Sequence, residues 1–215
     1  MKVRKVVTRS GKRFRGKTPS TKLNRMVEWE SLHERDAIPH FELHPLIVSY
    51  QEQPSVEIYY DGSGESHRYV PDFSVLFEHG EELFIEVKPS RILKKRDVRE
   101  KLEAIATRFE EQGRKFRVWT EKHIRRQPLF SNLKALQRSA KKASFQETDK
   151  QLATKLTGGP IWSFRDLANQ LGSAQKVLRL ILANHLRVDL EATLRDDSAV
   201  WLVTSKGGDH GSFLI

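Results

Sequence analysis

Apolar and polar positions alternate most regularly at Tyr69–Phe77 and Leu83–Lys88. In a pleated strand successive side chains point to opposite faces. Phe73, Val75 and Phe77 therefore share one face and Asp72 takes the other, while Ile85 and Val87 oppose Glu86 and Lys88. Residues 78–82, centred on His79 and Gly80, read as a turn. The spacing predicts an antiparallel hairpin that sets Asp72 across from the Glu86–Lys88 segment.

The flanking pattern predicts the elements around this hairpin. A helix is expected from Leu23–Val27 to His40, with Pro39 loosening its end and Glu30 and Glu34 four apart on one face. Residues 46–60 read as strand interrupted by Pro54, and Asp61–Gly64 as a turn. After Pro89 a helix is expected from Ser90 to about Glu111, its core stripe being Leu102, Ile105, Ala106 and Phe109, with Gly113 as its stop. Phe116–Thr120 is a further strand. Strand–helix–strand implies a crossover, so this strand should run parallel to the Glu86 strand. The expected fold class is α/β: a mixed sheet flanked by helices.

Residues 122–142 read as a basic helical connector able to dock on the same core. A different pattern follows. Ser163–Gly172 reads as a short helix with a Ser cap and a Gly stop, and Ser173 to about Leu186 as a second helix. Val188–Leu194 and Val200–Thr204 read as a hairpin around Arg195–Ser198. Helix, tight turn, helix, hairpin is the winged-helix layout. Lys176, Arg179 and Arg187 are its few cations, so protein docking is as reasonable a role as DNA reading.

Charge changes the picture more than composition does. The chain has 215 residues, 38% of them hydrophobic, which suffices for a moderate core. The formal net charge of +10 points to a polyanionic partner. That charge is uneven: residues 1–27 hold no acid, and their cations include Lys12, Arg13, Arg15 and Lys17. Such a segment is expected to be flexible when free and to track phosphates. A second cluster, Arg91, Lys94, Lys95 and Arg96, follows the hairpin directly. The chain has no cysteine, which excludes disulfides, thiol nucleophiles and Cys-ligated zinc. No apolar run reaches the ~18 residues of a membrane span, and no signal peptide is visible. The expected location is the cytoplasm, at the nucleoid when acting. The eight histidines are read as surface or cap residues, without a zinc site.

The hairpin carries the candidate chemistry. Pro71-Asp72 followed by Glu86-Val87-Lys88 has the PD-(D/E)XK pattern of metal-dependent nucleases. Two neighbouring carboxylates repel, and a hard divalent cation relieves the repulsion. A lysine beside it orients water and offsets charge on phosphorus. A helix carboxylate, Glu34 or its rival Glu30, would complete the set. An ordinary amphipathic hairpin with a surface Glu–Lys pair is the plain alternative.

Four ordered stretches bear a wider resemblance: Pro19–Asp36, Phe41–Pro54, Arg68–Phe73 and Ile85–Pro89. Together they resemble the TnsA family, endonuclease subunits of heteromeric, Tn7-like transposases. The resemblance implies a restriction-endonuclease-like fold with a small C-terminal winged-helix-like domain. It implies Mg²⁺-dependent hydrolysis, with Mn²⁺ able to substitute, at the 5′ transposon ends of double-stranded DNA. It also implies a TnsB-type transposase as partner and a TnsC-type AAA+ regulator at the C-terminal domain. By position it assigns Glu34, Asp72, Glu86 and Lys88 to catalysis, with the Val87 carbonyl as a further metal ligand. The domain organisation expected is a basic arm over 1–20, the nuclease domain over 21–142, the winged-helix-like domain over 143–205 and a tail over 206–215. A stand-alone restriction, phage or repair nuclease, or a non-catalytic DNA-binding adaptor, is the alternative reading.

Overall fold

A computed structural model describes residues 14–141, 156 and 161–203. Lys12, Arg13 and the tail from 206 lie outside the described residues. The chain divides into two compact units, Met1–Arg125 and Arg126–Ile215.

The first unit is built on a four-stranded sheet in the order β3-β6-β7-β8. Its strands are β3 (Ile47–Glu52), β6 (Phe73–Phe77), β7 (Glu82–Val87) and β8 (Lys115–Trp119). β6 and β7 form the expected antiparallel hairpin, with Phe73 opposite Ile85. Gly80 supplies its turn at φ 87, a conformation that suits glycine. β8 runs parallel to β7, as the crossover requires. The crossover holds a short 3₁₀ turn (Ile92–Lys94) and α2 (Arg96–Glu111), so the helix starts later than the sequence suggested.

Each face of the sheet has its own core. On one, Phe41 of α1 (Leu32–Leu43) meets Phe73 and Trp119 at ring separations of 5.1 and 5.4 Å. On the other, Leu102, Ile105 and Phe109 of α2 pack with Phe84 and Phe116. Tyr59 and Tyr69 join that second cluster from a separate hairpin, β4 (Glu57–Tyr60) with β5 (Ser66–Tyr69). The expected strand Tyr69–Phe77 is therefore two strands that part at Val70–Asp72.

The expected helix from Leu23 is corrected. Gly16–Ser20 and Arg25–Trp29 pair instead as a hairpin, β1–β2, and α1 begins at Leu32. Thr18, Ser20 and Val27 are buried while Lys17, Pro19, Arg25 and Met26 are exposed, a strand alternation. Asn24 turns the hairpin at φ 50, a left-handed value asparagine tolerates. The turn then locks onto the far end of α1. Glu42 accepts from Ser20 Oγ at 2.6 Å and from the Thr21 and Lys22 amides at 2.8 and 2.9 Å. Lys22 Nζ donates to the Phe41 and His44 carbonyls, capping the helix C-terminus. Burial, opposed by Glu42, lowers the Lys22 ammonium to about 8. Pro39 lies inside α1, which runs past it to Leu43.

One histidine departs from the surface-or-cap reading. His40, in the last turn of α1, is 2% exposed, while His44, 4% exposed, is the C-cap of that helix. His40 Nε2 lies 2.8 Å from the Ile124 carbonyl, and His44 Nδ1 accepts from the Leu46 amide.

The second unit contains α4 (Leu129–Lys141), the helices Phe164–Leu171 and Ala174–Leu182, and a three-stranded antiparallel sheet. That sheet has the order β10 (Leu186–Val188), β11 (Ala199–Leu202), β9 (Ile161–Ser163). Ser163 and Ser173 cap the two helices, and Gly172 ends the first at φ 75. The helix α4 belongs to this unit, whereas the sequence reading grouped it with the nuclease core. Asn132 on α4 donates to the Leu190 and Ala192 carbonyls at 2.9 and 2.8 Å. The strand expected over Val188–Leu194 is only Leu186–Val188, and residues 189–198 form the connection to β11.

Candidate active site

The ends of β5, β6 and β7 converge. Asp72 stands one residue before β6, opposite Glu86 in the extended register. Its Oδ2 accepts from the Val87 amide at 2.7 Å, which fixes the carboxylate at the strand end. Glu86 is 4% exposed. One of its oxygens accepts from the Tyr69 hydroxyl at 2.5 Å and the other from Lys88 Nζ. Lys88 Nζ also lies 3.8 Å from Asp72 Oδ2 and 3.5 Å from the Val87 carbonyl. Asp72, Glu86, Lys88 and the Val87 carbonyl thus lie together at the strand ends.

Glu34 enters from the first turn of α1, where Ser31 caps the helix. Its carboxylate accepts from the Glu30 amide at 2.7 Å. Glu34 is a helix acid that feels the charge of Lys88. Burial and then the charge of Glu86 push Asp72 well up from the ordinary carboxylate range, with Glu34 adding to the effect and Lys88 opposing it. Burial likewise raises Glu34. Burial works against the Lys88 ammonium, but Asp72 and Glu86 outweigh it and the lysine is raised. Three acids share this site with one amine, and like charges held together add to the effect of burial on Asp72.

These donors are the hard oxygens that Mg²⁺ prefers. They are not drawn into a tight triplet. Among the described residues, the three-group set with ligand atoms within 4.8 Å of one another is Asp61, Glu65 and His67. That set sits on the β4–β5 connection, and it closes a turn. Asp61 already accepts from the Ser63 amide and hydroxyl and the Glu65 amide, and meets His67 Nε2 at 2.7 Å.

Gln53 also stands at the site. It follows β3 with φ 47, and its amide donates to the Asp72 carbonyl at 3.0 Å. It is 6% exposed, and its side-chain oxygen has no hydrogen-bond partner. Tyr69 went unnoticed because a Tyr in an apolar strand carries no distinguishing signal.

The basic residues fall in two places. Arg91, Lys94, Lys95 and Arg96 are all exposed beyond Lys88, and Arg96 pairs with Glu100 at 2.6 Å. Ser90 ties the start of this stretch to α3 (Glu121–Ile124), since its amide and hydroxyl both donate to Glu121. Those bonds hold the Glu121 carboxyl down at about 2. Arg15 and Lys17 belong to the β1–β2 region, and Lys17 pairs with Glu28 at 3.0 Å.

A mixed sheet between helices, with acids and a lysine at one end of its central hairpin, fits an α/β nuclease. Residues 44–121 match the family model described as TnsA-like endonuclease N terminal. The chain thus carries a TnsA-like endonuclease N-terminal domain, which supports a TnsA-family protein. The matched span includes Asp72, Glu86 and Lys88 but begins after Glu34. A comparison with curated proteins finds no match. Among the described residues no helix is long and apolar enough to cross a membrane.

Proposed function

We propose that this chain is the Mg²⁺-dependent DNA endonuclease subunit of a heteromeric transposase, cutting the 5′ ends of the transposon beside a TnsB-type transposase. The observation that carries the reading is the convergence of Asp72, Glu86 and Lys88. Asp72, Glu86, the Val87 carbonyl and Glu34 would hold Mg²⁺, or Mn²⁺ in its place. The ion would supply charge stabilisation at phosphorus and a more acidic water. The chain's own part is positional. The Val87 amide aims Asp72, the Tyr69 hydroxyl aims Glu86, and the Lys88 ammonium offsets charge that develops on the phosphate. Lys12, Arg13, Arg15, Lys17 and the Arg91–Arg96 cluster would bind DNA backbone. The second unit would serve as a winged-helix-like docking domain, with a TnsC-type AAA+ regulator as its partner.

The test is Asp72→Ala in the complex reconstituted with the partner transposase on a transposon-end duplex. Cleavage of the 5′ strand should fall by about 100-fold or more, the scale of losing a group that acts only in the transition state. The partner's cutting of the 3′ strand should persist. Normal 5′ cutting by the variant in Mg²⁺ would refute the assignment, and cutting of naked DNA by the chain alone would favour a stand-alone nuclease.

A further inference from the structure

Asp36 follows Glu34 by two residues and is 3% exposed, yet it binds two arginines. Its Oδ1 accepts from Arg35 Nε at 2.9 Å and Nη2 at 2.8 Å. Its Oδ2 accepts from Arg125 Nε at 2.9 Å, and Arg125 Nη2 lies 2.8 Å from the same oxygen. Each guanidinium therefore offers Asp36 its side edge and directs its Nη1 end elsewhere. The two arginine side chains remain 40% and 36% exposed.

Two other Glu–Arg pairs in this unit behave differently. Glu52 takes one arginine, Arg25, end-on through both Nη atoms. Glu57 takes Arg114 in the same way. Those pairs are neutral and use the outer fork of the guanidinium. The Asp36 group keeps an excess positive charge and leaves part of each planar donor set over. A single arginine with an amide would neutralise a buried carboxylate, so pairing does not account for the second. A planar donor set held by a fixed carboxylate matches the oxygens of a phosphate, and its entropy cost is met before the ligand arrives.

The surroundings fit the backbone of a nucleic acid. Arg35 follows Glu34, the α1 acid that feels the charge of Lys88, directly in sequence. Arg125 closes α3, whose Glu121 holds Ser90, two residues past Lys88. Arg35 also lies 6.0 Å from the ring of Trp29. Gly16 packs on that same ring so closely that a methyl there would sit 2.4 Å from it. Gly16 and Arg35 thus both border the Trp29 ring.

We propose that Asp36 holds Arg35 and Arg125 as a two-pronged seat for DNA backbone phosphates next to the candidate catalytic acids. The seat rests on the nuclease reading for its substrate class. Its test does not depend on cleavage. The full chain is treated with an arginine-selective dicarbonyl reagent, with and without a blunt DNA duplex, and labelling is read at each arginine by mass spectrometry. The duplex should reduce labelling of Arg35 and Arg125 severalfold while Arg108 on α2 stays unchanged. Equal labelling with and without bound duplex overturns the proposal. Arg35→Gln and Arg125→Gln, checked for native circular dichroism, provide the second measurement. Each should lower the slope of log affinity against log salt by about 0.9, the share of one phosphate. An unchanged slope in folded variants also overturns it. If the duplex protects both arginines but the reconstituted complex never cuts 5′ strands, the seat stands and the nuclease reading falls.

Discussion

Glu86 takes two donors of opposite character, a neutral hydroxyl from Tyr69 and an ammonium from Lys88. The hydroxyl holds one oxygen in place without bringing a charge to it. Losing an outer partner of this kind typically costs about 10–100-fold in metal affinity or activity. Tyr69→Phe is therefore expected to raise the Mg²⁺ concentration for half-maximal 5′ cutting by about tenfold, with near-normal cutting once Mg²⁺ saturates. A metal titration of the cleavage rate checks this, and an unshifted midpoint would leave Tyr69 as packing alone. Asp72, Glu86 and Lys88 were legible in the sequence because a period-two strand pair fixes which residues face each other. Tyr69 was not legible, since β5 pairs with β4 and reaches Glu86 only through the break at Val70–Asp72. Asp36 was hidden for a related reason. Its partner Arg125 is distant in sequence and meets it only once α3 has packed on α1.

The element that sequence reading missed altogether is the β1–β2 hairpin. Its strands hold Gly16, Pro19 and several cations, and little apolar surface beyond Val27 and Trp29. Such a composition reads as a loose basic arm, and what orders it is tertiary. The Glu42 and Lys22 contacts lock its turn to the end of α1, and Arg25 locks its second strand to Glu52 on β3. The central hairpin and α2 needed no such help, because Gly80, Gly113 and the Leu102–Ile105–Phe109 stripe are local signals. The Arg25 contact is testable by stability. Glu52 is 5% exposed, so Arg25→Ala leaves a buried carboxylate without its main charge partner. The expected loss is about 2–3 kcal/mol in urea unfolding, toward the lower side of what breaking a buried pair costs, because Arg25 itself is partly hydrated. Lys17→Ala breaks an ion pair on the same hairpin whose lysine is 50% exposed, and should cost about 0.5 kcal/mol or less. Equal losses would mean that Arg25 acts through the strand surface and not through Glu52.

At the scale of the whole molecule, the chain carries a net charge of +10 around a pocket with three acids. The acids were gathered at a cost: Asp72 and Glu34 are both raised, by burial first and then by like charge. A carboxyl whose folded pKa exceeds its unfolded value of about 4 keeps its proton where the unfolded chain has released it. Its stabilising contribution is full below that unfolded value and is lost as pH climbs through the folded pKa. In metal-free protein these two acids therefore make the fold less stable at pH 7 than at pH 5. Lys88 has the opposite sign in another window: its raised pKa favours the fold up to the alkaline range and falls away only above about 10.4. Asp72→Asn removes one of the repelling charges while its side-chain oxygen can still accept from the Val87 amide. With chelator present, this variant should melt above the wild type at pH 7 by about 2–4 °C, the shift of a fraction of a kcal/mol to 1 kcal/mol. The modest size follows from the 20% of the Asp72 side chain that solvent still reaches. The gain should shrink as pH approaches 4, where the wild-type carboxyl is itself protonated. A constant gain at every pH would trace the effect to packing. A loss at pH 7 would mean that the Lys88 attraction outweighs the repulsion among the acids, and that this pocket is a satisfied ion cluster instead of one built to receive a cation.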